Sequence, residues 1–284
     1  MQTVGIIGLG LLGGALARRL LKTGLRVAGY DLSADRRAQF TSNGGIALEN
    51  SRAVANAAEA LLLCLPDSNA VEEVVLEFKS SLAGKLVSDT TTGDPDRTAH
   101  LGSDLCRHET RYNDATVLGS SREAEVGNVI VMVGGKAEHV QDASSMIDRF
   151  AKQWFHMGPA GSGARTKLVV NLVLGLNRAV LAEGLTFAQV SELDPEKVLN
   201  VLKAGAAYSR VMDSKGAKMV QREFAPEARL SQHRKDVRLI LEQGQRHGGH
   251  LPLSRLHEQL LAEAENQGLG DLDNSAIIEI FRRK

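Results

Sequence analysis

The segment Gly8-Leu9-Gly10-Leu11-Leu12-Gly13 decides the fold. It follows an apolar run, Val4–Ile7, and leads into a helix-like stretch, Leu11–Thr23. In a turn of the form G-x-G-x-x-G each glycine answers a separate need. Gly8 permits the tight turn, Gly10 lets backbone approach a pyrophosphate, and Gly13 lets helix and strand pack closely. The N–H groups at the helix start and the positive end of its dipole then suit an anion. A glycine-rich turn alone is weak evidence, because such turns are common. Here a second apolar run, Val27–Tyr30, leads into Asp31, 18 residues after Gly13. A carboxylate near that spacing accepts hydrogen bonds from an adenosine ribose. The pattern reads as a dinucleotide-binding loop, with Gly8, Leu9, Gly10, Leu11, Leu12, Gly13 and Asp31 as contacts. The alternative is a flexible turn beside a surface aspartate. Asp31 repels a 2′-phosphate, which favours NAD, while Arg36 and Arg37 keep NADP possible.

Outward from this loop, strand-like runs continue at Leu61–Leu65, Leu86–Ser88, Asp114–Val117 and Val129–Val133. Helix-like stretches lie between them at Asp35–Ser42, Asn69–Lys79, Asp96–Arg107 and Ala137–Ala151. This alternation predicts βαβ units, a parallel sheet and helices on both of its faces. After Arg165 the pattern changes. Residues 167–190 form one long, mostly apolar helical segment whose only charges are Lys167, Arg178 and Glu183. A helix apolar on nearly all sides is expected to be buried between domains or subunits. From Pro195 on only amphipathic helices are read. The expected class is α/β: a Rossmann-type doubly wound sheet in residues 1–160, then an all-α domain in residues 161–284.

Composition narrows the function. The 284 residues carry 34 Lys+Arg against 34 Asp+Glu, and 43% are hydrophobic. Disordered chains combine low hydrophobicity with high net charge, so that class is excluded. Balanced charge argues against a general nucleic-acid binder. Cys64 and Cys106 form no C-x-x-C pair, which points to a reducing cytoplasm rather than a disulfide-stapled secreted fold. Cys64, inside an apolar run, reads as a small core residue. The apolar N-terminus lacks the preceding Lys or Arg of a signal peptide and is broken by five glycines. No run of about 18 unbroken apolar residues occurs, so no membrane span is expected.

Five segments in order resemble the β-hydroxyacid dehydrogenase family, across nearly the whole chain. They are the Gly8–Gly13 loop; Leu63-Cys64-Leu65-Pro66-Asp67; Asp89-Thr90-Thr91-Thr92-Gly93-Asp94-Pro95; Gly161-Ser162-Gly163 with Lys167 and Asn171; and a C-terminal pair, Lys235-Asp236-Val237 with Gly268–Asp273. The resemblance implies an oxidoreductase exchanging hydride between NAD(P) and a small hydroxy acid. It implies cofactor contacts at Leu65, Pro66, Thr92 and Lys235, and a homodimer or homotetramer. It also implies a substrate-carboxylate segment at Leu118-Gly119-Ser120. There Leu118 stands where the family often carries serine, leaving the backbone N–H groups of Gly119 and Ser120 to serve. Gly119–Gly127 is similar to the glyoxylate/succinic semialdehyde reductase branch. Those enzymes tend to use NADPH and to carry an arginine where this chain has Leu32.

Side-chain chemistry agrees with this resemblance. Reduction of a carbonyl leaves negative charge on oxygen, so a proton donor is needed there; in oxidation the same group acts as base. Lys167 and Asn171 are spaced i, i+4 and share a helix face. Lys167 is read as the general acid/base, and Asn171 as the residue that orients it or the substrate. The alternative is a snorkelling lysine and a surface asparagine. Thr91 and Thr92 follow a strand end, where open α/β sheets bind ligands, though a helix entry before Pro95 has the same composition. Lys235 sits among Arg234, Asp236 and Arg238, which equally suits a solvated helix face. His247 and His250 lack carboxylate or cysteine partners at ligand spacing, so no metal is expected. A reductase using NADPH and a dinucleotide-binding protein without catalysis remain the competing readings, Leu118 being the best support for the second.

Overall fold

The structure, a computed structural model, describes residues 3–282. The chain divides between Lys167 and Leu168 into two compact units. The first is built on strands β1 (Thr3–Ile7), β2 (Arg26–Tyr30), β3 (Ile46–Ala47), β4 (Ala60–Leu63), β5 (Leu86–Asp89), β6 (Arg111–Leu118), β7 (Val129–Gly135) and β8 (Ala151–Gly158). They form one sheet in the order β3-β2-β1-β4-β5-β6-β7-β8. Helices α1 (Leu11–Lys22), α2 (Ala34–Ser42), α3 (Ser51–Ala57), α4 (Ser68–Phe78), α5 (Pro95–Arg107), α6 (Ser121–Glu125) and α7 (Ala137–Ile147) connect them. Order reverses on either side of β1, which is the doubly wound arrangement that places a ligand crevice at the carboxyl ends of the strands.

The sheet is buried on both faces, so its central strands are apolar throughout rather than alternating. Strand β4 sends Leu62 into one core with Val4, Ile6, Leu16 and Val117. It sends Leu61 and Leu63 into the other with Ile7, Val75, Val87 and Tyr112. Capping side chains start the helices. Asp67 accepts from the Ala70 N–H, and Asp94, followed by Pro95, accepts from Asp96 and Arg97.

The sheet is not wholly parallel: β6 and β7 pair antiparallel. Only Gly119–Asn128 joins them, too short for a crossover to a parallel neighbour. The helix expected to reach Ala151 stops at Ile147, and Ala151 instead opens β8. Strand β8 is mostly half-buried or exposed, so it lacks the apolar run that betrays a central strand. Short β3 and α3 were equally silent.

The second unit is helical. Helix α8 (Ser162–Val190) runs across the division, followed by α9 (Pro195–Ala204), α10 (Val211–Gln221), α11 (Leu230–Arg246), α12 (Pro252–Asn266) and α13 (Ile278–Phe281). By length and composition α8 could cross a membrane. Leu181, Ala182 and Leu185 instead pack with Met219, Leu230, Val237, Leu261 and Ile277 as the core of this unit. The expected burial on nearly all sides does not hold within one chain. Val169, Val173, Val180 and Phe187 form an exposed stripe at roughly heptad spacing.

Asp273 ties the helical unit together. Both of its oxygens lie 2.9 Å from the Lys215 Nζ, and it accepts from Ser275 Oγ at 2.7 Å and from the Glu227 N–H at 3.0 Å. Burial pushes its carboxyl up, but the Lys215 ammonium and these donors outweigh it and hold the group at about 2. Its folded value lies below its unfolded one. The stability it contributes is therefore present above about pH 4 and lost as pH falls through about 2. Replacing Asp273 with Ala leaves the buried Lys215 ammonium to Glu227 Oε2, 3.7 Å away. We expect the urea-unfolding free energy at pH 7 to fall by about 3–5 kcal/mol; a loss below about 1 kcal/mol contradicts this.

Candidate cofactor and proton-transfer site

The glycine loop has the geometry its sequence requires. Gly8 has φ +93, and a Cβ there would stand 2.3 Å from the Cys64 carbonyl oxygen. A Cβ on Gly13 would stand 1.9 Å from the Gly8 carbonyl oxygen. Gly10 differs, since a Cβ on it would meet only the Arg36 Nη1, at 3.8 Å. The protein itself therefore makes no demand for glycine at position 10. Close approach by a ligand does. Gly10 is the N-cap of α1 and no side chain caps that helix, so its first N–H groups face outward for an anion. Leu9 is buried, Leu12 packs on the core, and Leu11 is half exposed.

Asp31 lies just past β2, buried, with Oδ2 accepting from the Leu9 N–H at 2.7 Å and Oδ1 from Ser33 at 2.9 Å. The carboxylate thus braces the glycine loop as well as standing where a ribose would be read. Arg36 reaches it at 3.4 Å, Arg37 turns to the backbone oxygens of Asp31 and Leu32, and Leu32 is exposed. These residues fit a dinucleotide: an anion-ready helix start, an open glycine and an acceptor beside it.

At the ends of β4 and β5, Thr91 is buried and its hydroxyl accepts the Leu65 N–H at 3.1 Å. The Thr91 N–H donates to Asp89 Oδ1 at 2.9 Å. Thr91 therefore ties two strand ends together, and its hydroxyl is engaged inside the protein. Thr92 is half-buried and Pro66 exposed. Cys64 packs against the core, and burial pushes its thiol up to about 12. Asp89 is fully buried and lines a small cavity with Ser68, Thr91, Arg97 and Leu101.

Lys167 comes from the start of α8. Its Nζ donates to the Val117 carbonyl oxygen at 2.6 Å, which sets the amine at the carboxyl end of β6. The next residue, Leu118, is half-buried. Beyond it, Ser120 is engaged locally. Its N–H and hydroxyl both go to Glu123 Oε2, at 2.8 and 3.1 Å, in a capping box for α6. The Ser120 N–H is thus already committed and a carboxylate sits beside it. Gly119, with φ +147, adjoins Val129.

In the helical unit Asn171 is buried, and its Nδ2 donates to Asp236 Oδ2 at 2.8 Å. Lys235 lies 3.0 Å from Asp236 Oδ1. Asp236 was legible only as a neighbour of Lys235; nothing in the spacing marked it as the partner of Asn171. Asp114 was missed likewise, since a buried aspartate inside a strand looks like an edge residue. Its oxygens accept the N–H groups of Gly161 and Ala164, each at 2.8 Å. Among the described residues no group of three or more His, Cys, Asp or Glu side chains is arranged to hold a metal.

Residues 3–158 match the family described as the NAD binding domain of 6-phosphogluconate dehydrogenase. Residues 161–281 match the family described as NAD-binding of NADP-dependent 3-hydroxyisobutyrate dehydrogenase. The chain is 28% identical to glyoxylate/succinic semialdehyde reductase 1 of Arabidopsis thaliana, over 98% of both chains. It is 30% identical to 2-(hydroxymethyl)glutarate dehydrogenase of Eubacterium barkeri, over 99% of this chain and 95% of that one. The fold matches a 3-hydroxyisobutyrate dehydrogenase from Salmonella typhimurium at a TM-score of 0.91, with 24% identity, covering 99% and 100% of the two chains.

Burial pushes the Asp89 carboxyl up to about 6, and Asp114 nearby adds to this, against donation from Thr91 and Tyr112. Its folded value lies above its unfolded one, so the stability it contributes is full below about pH 4 and is lost as pH rises through about 6. The urea midpoint of the protein should therefore carry a decline between pH 4 and pH 6.5 that Asp89→Asn removes. An unchanged decline in that variant would count against the assignment.

Proposed function

We propose that this chain, which belongs to the β-hydroxyacid dehydrogenase family and is an NAD(P)-dependent oxidoreductase, catalyses reversible hydride transfer between NAD(H) and a small 3-hydroxy acid or the matching aldehyde acid, with Lys167 as general acid/base. The observation that carries this is the Lys167 amine, fixed 2.6 Å from the Val117 carbonyl at the carboxyl end of a sheet strand. Open α/β sheets bind their ligands at that end. The glycine loop takes the pyrophosphate, Asp31 the ribose, and Leu65, Pro66, Thr92 and Lys235 line the rest of the cofactor. When bound, the nicotinamide supplies or accepts the hydride.

Lys167 supplies the proton to the carbonyl oxygen in reduction and removes it in oxidation. The Val117 carbonyl orients the amine. Asn171, held by Asp236, orients the reacting oxygen. Leu118 and Gly119 border the substrate, with the Gly119 N–H as its donor; Thr91 acts by holding the strand ends that shape this place.

Residues 1–160 bind the dinucleotide, and residues 161–284 bind substrate and join subunits. The exposed stripe of Val169, Val173, Val180 and Phe187 on α8 suits a second copy of the chain, in a dimer or tetramer. Two cysteines without a disulfide suit the cytoplasm, and neither nucleic acid nor membrane is expected as a partner.

A reductase of glyoxylate or succinic semialdehyde that prefers NADPH is the second reading. The Arg36 guanidinium favours it, lying beside both Asp31 and Gly10. Turnover of glyoxylate, succinic semialdehyde, tartronate semialdehyde and 3-hydroxyisobutyrate, each with both cofactors, tests the proposal. We expect at least one of these acids to turn over, with kcat/KM for NAD(H) exceeding that for NADP(H) by roughly tenfold or more, a preference of about 1.4 kcal/mol. Preference for NADPH selects the second reading, and inactivity on every acid overturns the substrate class.

A further inference from the structure

Asp114 has no part in the proton transfer proposed above, yet it is among the most buried charged groups, only 1% exposed. Its two oxygens divide their work. Oδ1 accepts the Gly161 N–H and Oδ2 the Ala164 N–H, each at 2.8 Å. Both amides belong to the entry of α8, whose first N–H groups have no partner inside the helix. Two residues along β6, the Thr116 hydroxyl donates to the Gly163 carbonyl oxygen at 2.9 Å. One residue further, the Val117 carbonyl accepts from Lys167. Strand β6 therefore holds the first turns of α8 at three successive points, and the last of them is the amine itself.

The surrounding sequence is shaped to allow this. A Cβ on Gly134 would stand 2.5 Å from Asp114 Oδ1, and one on Gly163 would stand 2.8 Å from Oδ2. Gly161 has φ +88, a conformation that other residues rarely adopt. Three glycines thus clear the space in which one carboxyl group grips a helix entry.

We propose that Asp114, assisted by Thr116, is the positioning residue for Lys167, fixing the rotation and height of the first turns of α8 so that Nζ rests against the Val117 carbonyl. This rests on the reading of Lys167 as the general acid/base. Asparagine at 114 keeps the shape but turns an NH2 group toward one of the two N–H donors. That cap is lost, the turn shifts, and a displacement of about 1 Å at a reacting group costs up to roughly 100-fold in rate.

The test uses full-length Asp114→Asn, Thr116→Val and Lys167→Ala, with kcat, KM, cofactor affinity by fluorescence, the pH profile of kcat/KM and melting temperature for each. For Asp114→Asn we expect kcat to fall roughly 10- to 100-fold. Cofactor affinity should stay within about twofold, and the pH at half-maximal kcat/KM should move. Thr116→Val should show the same pattern more weakly, and it carries the test should Asp114→Asn fail to fold. Wild-type kcat and pH profile in the folded variants, whatever their melting temperature, would make Asp114 a plain helix cap and overturn the proposal. Activity retained in Lys167→Ala overturns the reading beneath it. Inactive Lys167→Ala beside an unaltered Asp114→Asn overturns the proposal alone.

Discussion

The proposed chemistry turns on one hydrogen bond: the Lys167 amine against the Val117 carbonyl, 2.6 Å apart and 50 residues apart in sequence. A lysine side chain has four rotatable carbons, and holding it still costs up to about 2 kcal/mol of rotamer entropy. Here the Val117 carbonyl helps to hold it still.

Buried polar groups recur in both units, and each answers to a local task. Asp31 braces the glycine loop, Asp89 joins Thr91 and Tyr112 at the sheet end, Asp114 grips a helix start, and Asp273 gathers Lys215, Glu227 and Ser275 around it. Burying a carboxyl is unfavourable unless its oxygens are occupied, and in each case they are. Arg178 is the contrast. It is buried on α8 with Nε and Nη1 lacking partners, near His257, whose imidazole burial and Arg178 push down to about 4.

The parts of this protein that could be read in advance are those whose chemistry is local. The glycine turn, the strand leading into Asp31 and the i, i+4 pair of Lys167 and Asn171 are fixed by spacing along one element. Strands β1, β2, β4 and β7 declared themselves because burial on both faces makes them apolar throughout. Strand β8 did not, because it lies at the sheet edge and is mostly exposed. Partnerships across the fold were invisible for a different reason. That Asp236 holds Asn171 across 65 residues, or that Glu123 occupies the Ser120 N–H, depends on how elements meet. Leu118 could be seen as a missing hydroxyl, but only coordinates show that the neighbouring donor is also engaged.

The central claim is that the amine of Lys167 moves the proton, and chemical rescue addresses it directly. In Lys167→Ala, turnover should drop by roughly 10²- to 10⁴-fold with cofactor affinity retained, and added methylamine should restore part of it in proportion to its free-base or ammonium form. A variant that turns over near the wild-type rate without added amine would contradict the account.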